Sequence, residues 1–123
     1  MDDVQVARVI AGLLRTARLR ASNERALQDS IEEALTAAQI AFQREKALSR
    51  RDRPDFLAAV GAVVLEVKLK CARKTIYRQL ERYAEHDSVR ALILVTGTTM
   101  GMPEHINGKP IFLVPVGLGA IGC

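Results

Sequence analysis

Tryptophan is absent from this 123-residue chain, and aromatic residues make up only 4% of it. That scarcity argues against a binding face built from a row of stacked aromatic side chains, as many single-strand binders use. Cysteine is scarce too. Cys71 and Cys123 stand far apart, which gives neither a metal-ligand spacing nor a disulfide framework. A reducing, cytoplasmic setting is the expectation. Long hydrophobic runs are missing as well. The longest uncharged apolar stretch, Phe56 to Leu65, is too short to cross a membrane. The opening Met1-Asp2-Asp3 is wrong for a secretory leader. No internal repeat, low-complexity tract or Ser/Pro-rich linker divides the chain. What remains is 49% hydrophobic and long enough to bury a core without cross-links, so one domain over residues 1–123 is expected.

Charge is modest in sum and uneven in place. Eighteen Lys and Arg face 14 Asp and Glu, a net +4. From Arg44 to Arg82 there are 11 basic residues against 5 acidic ones, whereas the rest of the chain is slightly acidic. A basic central segment suits an anionic partner.

Periodicity orders the elements. Val6, Ile10, Leu13, Leu14 and Ala17 recur at helical spacing and predict a first helix from about Asp3 to Leu19. Asp2 and Asp3 favour its N-terminus. Ser22-Asn23 supplies cap chemistry for a second helix, Glu24 to about Ala38, with an apolar stripe of Leu27, Ile31, Ala34, Leu35 and Ala38. Strands are expected at Ile40 to Leu48 and Asp55 to Ala59, joined by the charged turn Ser49 to Arg53, with a turn at Gly61. Ala62 to Lys70 is the clearest strand. Its alternation puts Val63, Leu65, Val67 and Leu69 on one face and Val64, Glu66, Lys68 and Lys70 on the other. A third helix follows, Arg73 to Glu85, with Ile76, Leu80, Tyr83 and Ala84 facing a core. Arg90 to Thr96 reads as a wholly buried strand. Gly97 to Lys109 is turn-rich, Ile111 to Val116 is a last strand, and the Gly-rich tail is a loop. The order α-α-β-β-β-α-β-β predicts an α/β fold, a mixed sheet flanked by helices. The first helix, residues 1–20, is a candidate dimer element, with packing over its own core as the plainer alternative.

The chemistry concentrates near Asp55. Glu66 and Lys68 lie two apart on a strand and point to one side, and a hairpin pairing sets the Asp55 carboxylate beside that of Glu66. Two close carboxylates repel, and a divalent cation relieves that repulsion. Mg²⁺ takes oxygen ligands of this type. His86 and His105 are isolated and read as surface or loop residues. Cys71 reads as a small buried hydrophobe. Gly97-Thr98-Thr99-Met100-Gly101 lacks the Lys and helix of a P-loop.

Pro54-Asp55, ten residues, then Glu66-Val67-Lys68 resembles the signature of the PD-(D/E)xK nuclease superfamily. Glu24 at the start of the preceding helix, and the pair Gln79 and Tyr83 on the following one, extend the likeness. The Gln-x-x-x-Tyr pair resembles a branch with exonuclease domains, Holliday-junction resolvases and small phage or virus-type replication-repair nucleases. The likeness covers about residues 22–96, with residues 97–123 beyond the core as loop and terminal strand. It implies a restriction-endonuclease-like fold and hydrolysis of DNA phosphodiester bonds with Mg²⁺, Mn²⁺ substituting. Asp55 and Glu66 would bind the metal through carboxylates and Val67 through its carbonyl. Lys68 would position the attacking water. Glu24 would reach the metal directly or through water, with Glu32, Glu33 and Glu45 as alternatives. Gln79 and Tyr83 would steady Lys68 or contact the DNA backbone.

Arg50, Arg51, Arg53, Lys70, Arg73 and Lys74 flank these positions and are the expected phosphate contacts. For the helix stripe of Arg78 and Arg82, pairing with Glu81 and Glu85 is favoured. Junction resolution and nucleic-acid binding without catalysis are the alternative functions. The reading leaves room for a homodimer and for a larger replication, repair or phage partner, and expects no membrane.

Overall fold

The computed structural model describes residues 1–117; the Gly-rich tail and Cys123 lie outside the described residues. Two helices lead, α1 (Asp3–Thr16) and α2 (Glu24–Ala37). Asp2 caps α1 by accepting from the Gln5 N–H at 2.8 Å while Gln5 Oε1 accepts from the Asp2 N–H at 2.9 Å. Asn23 caps α2 by accepting from Ala26 N–H at 2.7 Å. Then come β1 (Phe42–Arg44), β2 (Phe56–Ala58), a 3₁₀ turn at Ala59–Gly61, β3 (Val63–Lys68), α3 (Arg73–Ala84), β4 (Ala91–Thr96), β5 (His105–Ile106) and β6 (Lys109–Pro115).

The strands form one mixed sheet in the order β1-β2-β3-β4-β6-β5. β1, β2 and β3 are an antiparallel meander, and β4 and β6 continue the sheet in parallel. The alternation read from β3 holds. Val63, Leu65 and Val67 join Ala91, Ile93 and Val95 of β4 under α1 and α2, where Ile10, Leu14, Leu27, Ile31 and Leu35 meet them. On the opposite face Val64, Leu92 and Leu94 pack against Ile76, Leu80, Tyr83 and Ala84 of α3. Glu66 and Lys68 therefore lie on the α3 side. The apolar stripe of α1 is buried on its own sheet, the plainer of the two expectations for that helix.

The differences from the sequence reading have local causes. β1 has three residues rather than nine and ends where Glu45 turns into a left-handed conformation (φ 52°). Asp55 stands just before β2 rather than inside it. The turn-rich stretch holds an extra strand, β5, which forms a hairpin with β6 through Asn107 (φ 50°) and Gly108 (φ 76°). That hairpin also starts β6 at Lys109 instead of Ile111. α1 stops at Thr16 because its C-cap, Ala17, is extended (ψ 154°). Among the described residues no helix is long and apolar enough to cross a membrane.

The β2–β3 link is more strained than a glycine turn. Ala59 (φ 51°) and Val60 (φ 55°, ψ 39°) precede Gly61 (φ 91°) in the left-handed region. Val60 is β-branched and fully exposed, so no packing compensates for the clash of its Cβ with the backbone. Val60→Asn is expected to stabilise the protein by about 1 kcal/mol in urea denaturation, because Asn tolerates this conformation; a loss of stability would contradict the assigned backbone.

Candidate active site

Register brings the two carboxylates together. Phe56 pairs with Leu65 and Leu57 with Val64, so the next step outward sets Asp55 opposite Glu66. Each carboxylate is held by the backbone of the other strand. Asp55 N–H donates to Glu66 Oε1 at 3.1 Å, and Val67 N–H donates to Asp55 Oδ2 at 2.7 Å. Lys68 Nζ pairs with Glu66 Oε2 at 3.1 Å. Glu66 is 2% exposed and Lys68 is 20% exposed, so the pair opens to solvent through Lys68.

α3 closes the inner side. The Tyr83 hydroxyl lies 3.4 Å from both Glu66 Oε2 and the Arg53 carbonyl, long contacts that bridge the carboxylate to the loop before Asp55. Tyr83 thus reaches Glu66 rather than Lys68. Gln79 is half-buried one turn earlier, and its side chain hydrogen-bonds no described residue.

Electrostatics follow from this crowding. Burial first, and the Asp55 charge second, push the Glu66 carboxyl up to about 7, against the pull of Lys68 and the Asp55 N–H. Burial also raises Asp55; the Val67 N–H and Lys68 oppose that rise, and the charge of Glu24 adds to it. Burial disfavours the Lys68 ammonium, yet Glu66, Asp55 and Glu24 more than offset it and hold that group above its ordinary value. Burial, with Glu66 and Asp55, raises the Tyr83 phenol, which stays a protonated donor.

The outer acidic residues sort themselves. Glu24, exposed at the first position of α2, is felt electrostatically at Asp55 and Lys68. Glu32 is paired with Arg44 at 3.3 Å and Glu33 with Arg20 at 2.8 Å. Glu45 is exposed in the turn after β1, and its N–H donates to the Asp55 carbonyl at 3.0 Å. Among the described residues no group of three or more Asp, Glu, His and Cys is placed to hold a metal together. The donor set is therefore a pair of carboxylates, with Glu24 at longer range. Two oxygen-bearing acids whose mutual repulsion is only partly offset by one ammonium have the chemistry a hard divalent cation satisfies.

Sequence reasoning missed a second cluster. Asp52, 6% exposed, accepts from Arg82 Nε at 3.0 Å and pairs with His86 Nε2 at 2.8 Å. Arg82 therefore does not pair with Glu81 or Glu85, and His86 is not an isolated surface residue. Burial alone would raise the Asp52 carboxyl; His86 and Arg82 hold it below its usual range. The Asp52 carbonyl accepts from Leu48 N–H at 2.8 Å, and Asp52 N–H donates to Ser49 Oγ at 3.1 Å. The loop carrying Arg50, Arg51 and Arg53 is thus pinned to the end of α3. Arg50, Arg51 and Arg53 are exposed, and Arg53 Nη1 donates to the Glu45 carbonyl at 3.3 Å. The available signal was the i,i+4 spacing of Arg82 and His86. Cys71 is half-buried rather than buried.

The comparisons assign no family. No family model matches the chain, and no solved structure matches it. Over 116 aligned residues it is 28% identical to 1-pyrroline-5-carboxylate dehydrogenase of Staphylococcus epidermidis, covering 85% of this chain and 23% of that protein. The chain thus spans under a quarter of the length of that curated protein.

Glu66 makes stability pH-dependent in a definite direction. Its folded value lies above the ordinary 4.5, so the folded protein keeps a proton that the unfolded chain releases. Stability without metal falls as pH rises from about 4.5 to about 7. Asp55 acts with the same sign, and Asp52 contributes only at lower pH. A loss of about 2–3 kcal/mol across the window is expected in urea denaturation with EDTA, with a flatter profile for Glu66→Gln. A parent profile as flat as that of Glu66→Gln would refute the assignment.

Proposed function

We propose that this chain is a metal-dependent nuclease that hydrolyses phosphodiester bonds of DNA. The observation that carries the proposal is the reciprocal pair of Asp55 and Glu66, cross-held by backbone N–H groups, with Lys68 ion-paired to Glu66 at 3.1 Å. A β1–β2–β3 meander followed by α3 and parallel β4 supports the restriction-endonuclease-like arrangement implied by the resemblance, with β5 as an addition.

Asp55 and Glu66 would hold Mg²⁺, or Mn²⁺ in its place, with the Val67 carbonyl as a further oxygen. A bound divalent ion supplies Lewis-acid stabilisation of the charge that develops on phosphate. The remaining work falls to the chain itself. Lys68 sits at the solvent-facing side of the pair, where its ammonium can donate to an incoming water and to a phosphate oxygen. Glu66 keeps that ammonium in place, and Tyr83 holds Glu66 from behind. Glu24 adds negative charge at longer range, in keeping with a water-mediated part. Gln79, with a free amide one turn from Tyr83, has the donors to meet a phosphate oxygen or Lys68. Arg50, Arg51 and Arg53 lie on the pinned loop leading to Asp55, the place for sequence-independent phosphate contacts.

Lys68→Ala and Asp55→Ala are each expected to lower Mg²⁺-dependent cleavage of DNA by at least about 100-fold while circular dichroism remains that of the parent. The assay should include linear, circular, flapped and four-way substrates. Cleavage by both variants at the parent rate would sink the proposal.

A further inference from the structure

Arg20, Arg44 and Arg82 are held by carboxylates at 2.8–3.1 Å. Arg73, Lys74 and Arg78, on the N-terminal half of α3, are exposed and form no ion pair with any described residue. They rim two cavities that share Arg73. The first, of about 560 Å³, lies beyond the carboxyl ends of the parallel strands β3 and β4 and is lined by Lys70, Cys71, Arg73, Thr98 and Thr99, among others. The second, of about 390 Å³, is lined by Arg73, Lys74, Tyr77, Arg78, Glu81 and Met100, among others.

The crevice outside the carboxyl ends of parallel strands is where open α/β sheets place their ligands. Here its walls are tied. Cys71 N–H donates to Thr98 Oγ1 at 3.1 Å, Thr98 Oγ1 donates to the Cys71 carbonyl at 3.0 Å, and Thr98 N–H donates to Thr96 Oγ1 at 3.0 Å. These bonds fix the walls of the cavity to one another. Arg73, Lys74 and Arg78 against one carboxylate, Glu81, give the two cavities together a positive rim. The aromatic ring of Tyr77, half-buried, lines the second cavity together with Met100 and supplies an apolar surface in that rim.

We propose that this double cavity is a binding track for single-stranded nucleic acid. Arg73, Lys74 and Arg78 take successive phosphates, and Tyr77 with Met100 takes one unstacked base. A duplex keeps its bases stacked inward and offers Tyr77 nothing, so the occupant is a single strand, such as a flap or frayed end. The track begins two residues beyond Lys68 along the chain, at Lys70. The inference that it feeds a cleavage site rests on the nuclease proposal; strand binding itself does not.

The test reads binding alone. Fluorescence anisotropy of a short labelled oligothymidylate is measured in EDTA, with a duplex of equal length as the second probe. The parent is expected to prefer the single strand. Tyr77→Ala should weaken that binding about 5- to 100-fold and leave duplex binding unchanged. Arg73→Ala and Arg78→Ala should each reduce the salt slope by about 0.7. Arg73→Glu and Arg78→Glu change exposed side chains and decide the matter if Tyr77→Ala does not fold. Parental affinity in these variants, or a parent that prefers the duplex, overturns the track. A parent that binds single strands through these residues but never cuts with Mg²⁺ sinks the nuclease proposal and leaves the track standing. Lys68-dependent cutting, with binding and cutting unchanged in the track variants, does the reverse.

Discussion

Two carboxylates occupy one largely buried corner of a sheet, and much of the local structure answers to that constraint. Isolated charges in such a place are costly. The protein surrounds Asp55 and Glu66 with donors: the Asp55 and Val67 N–H groups, the Lys68 ammonium and the Tyr83 hydroxyl. These donors do not fully balance the pair, since burial and the Asp55 charge still push Glu66 up to about 7. The pair is short of positive charge, and that shortage is the ground for the divalent cation proposed there.

The scaffold keeps this imbalance from relaxing. β3 is central, with antiparallel β2 on one side and parallel β4 on the other. Its odd-numbered residues are locked under α1 and α2, so Glu66 and Lys68 cannot turn away from α3 without a register slip that would expose Val63, Leu65 and Val67. The loop before Asp55 is fixed by Asp52 to Arg82 and His86. Lys109 Nζ donates to the Ala84 and His86 carbonyls at 2.6 and 2.7 Å, which anchors the end of α3 that carries those partners.

Local period was legible in the sequence, and long-range pairing was not. The strict alternation of Val63 to Lys68 placed Glu66 and Lys68 on one face, and the stripe Ile76, Leu80, Tyr83 and Ala84 correctly named the buried side of α3. The meeting of Asp55 with Glu66 followed from hairpin logic. Asp52 was hidden because its partners stand 30 and 34 residues away, and a lone acid among arginines has the look of a solvated turn. β5 was hidden because a two-residue strand has no period; only the positive φ of Asn107 and Gly108 makes its hairpin. β1 ends where Glu45 takes a backbone conformation that its side chain does not advertise. Tyr83 was recognised on the site-facing stripe of α3, but its partner there, Glu66, depended on the depth at which α3 packs.

The central claim is that the Asp55–Glu66 pair takes up a divalent cation. Its most direct test is the melting temperature of the EDTA-treated protein as Mg²⁺ is added back at neutral pH, for the parent, Asp55→Asn and Glu66→Gln. Ligand binding to the folded state raises stability with the logarithm of concentration above Kd. The account predicts a rising melting temperature for the parent and little or no rise for either variant. A parent indifferent to Mg²⁺, or three proteins that rise together, would contradict it.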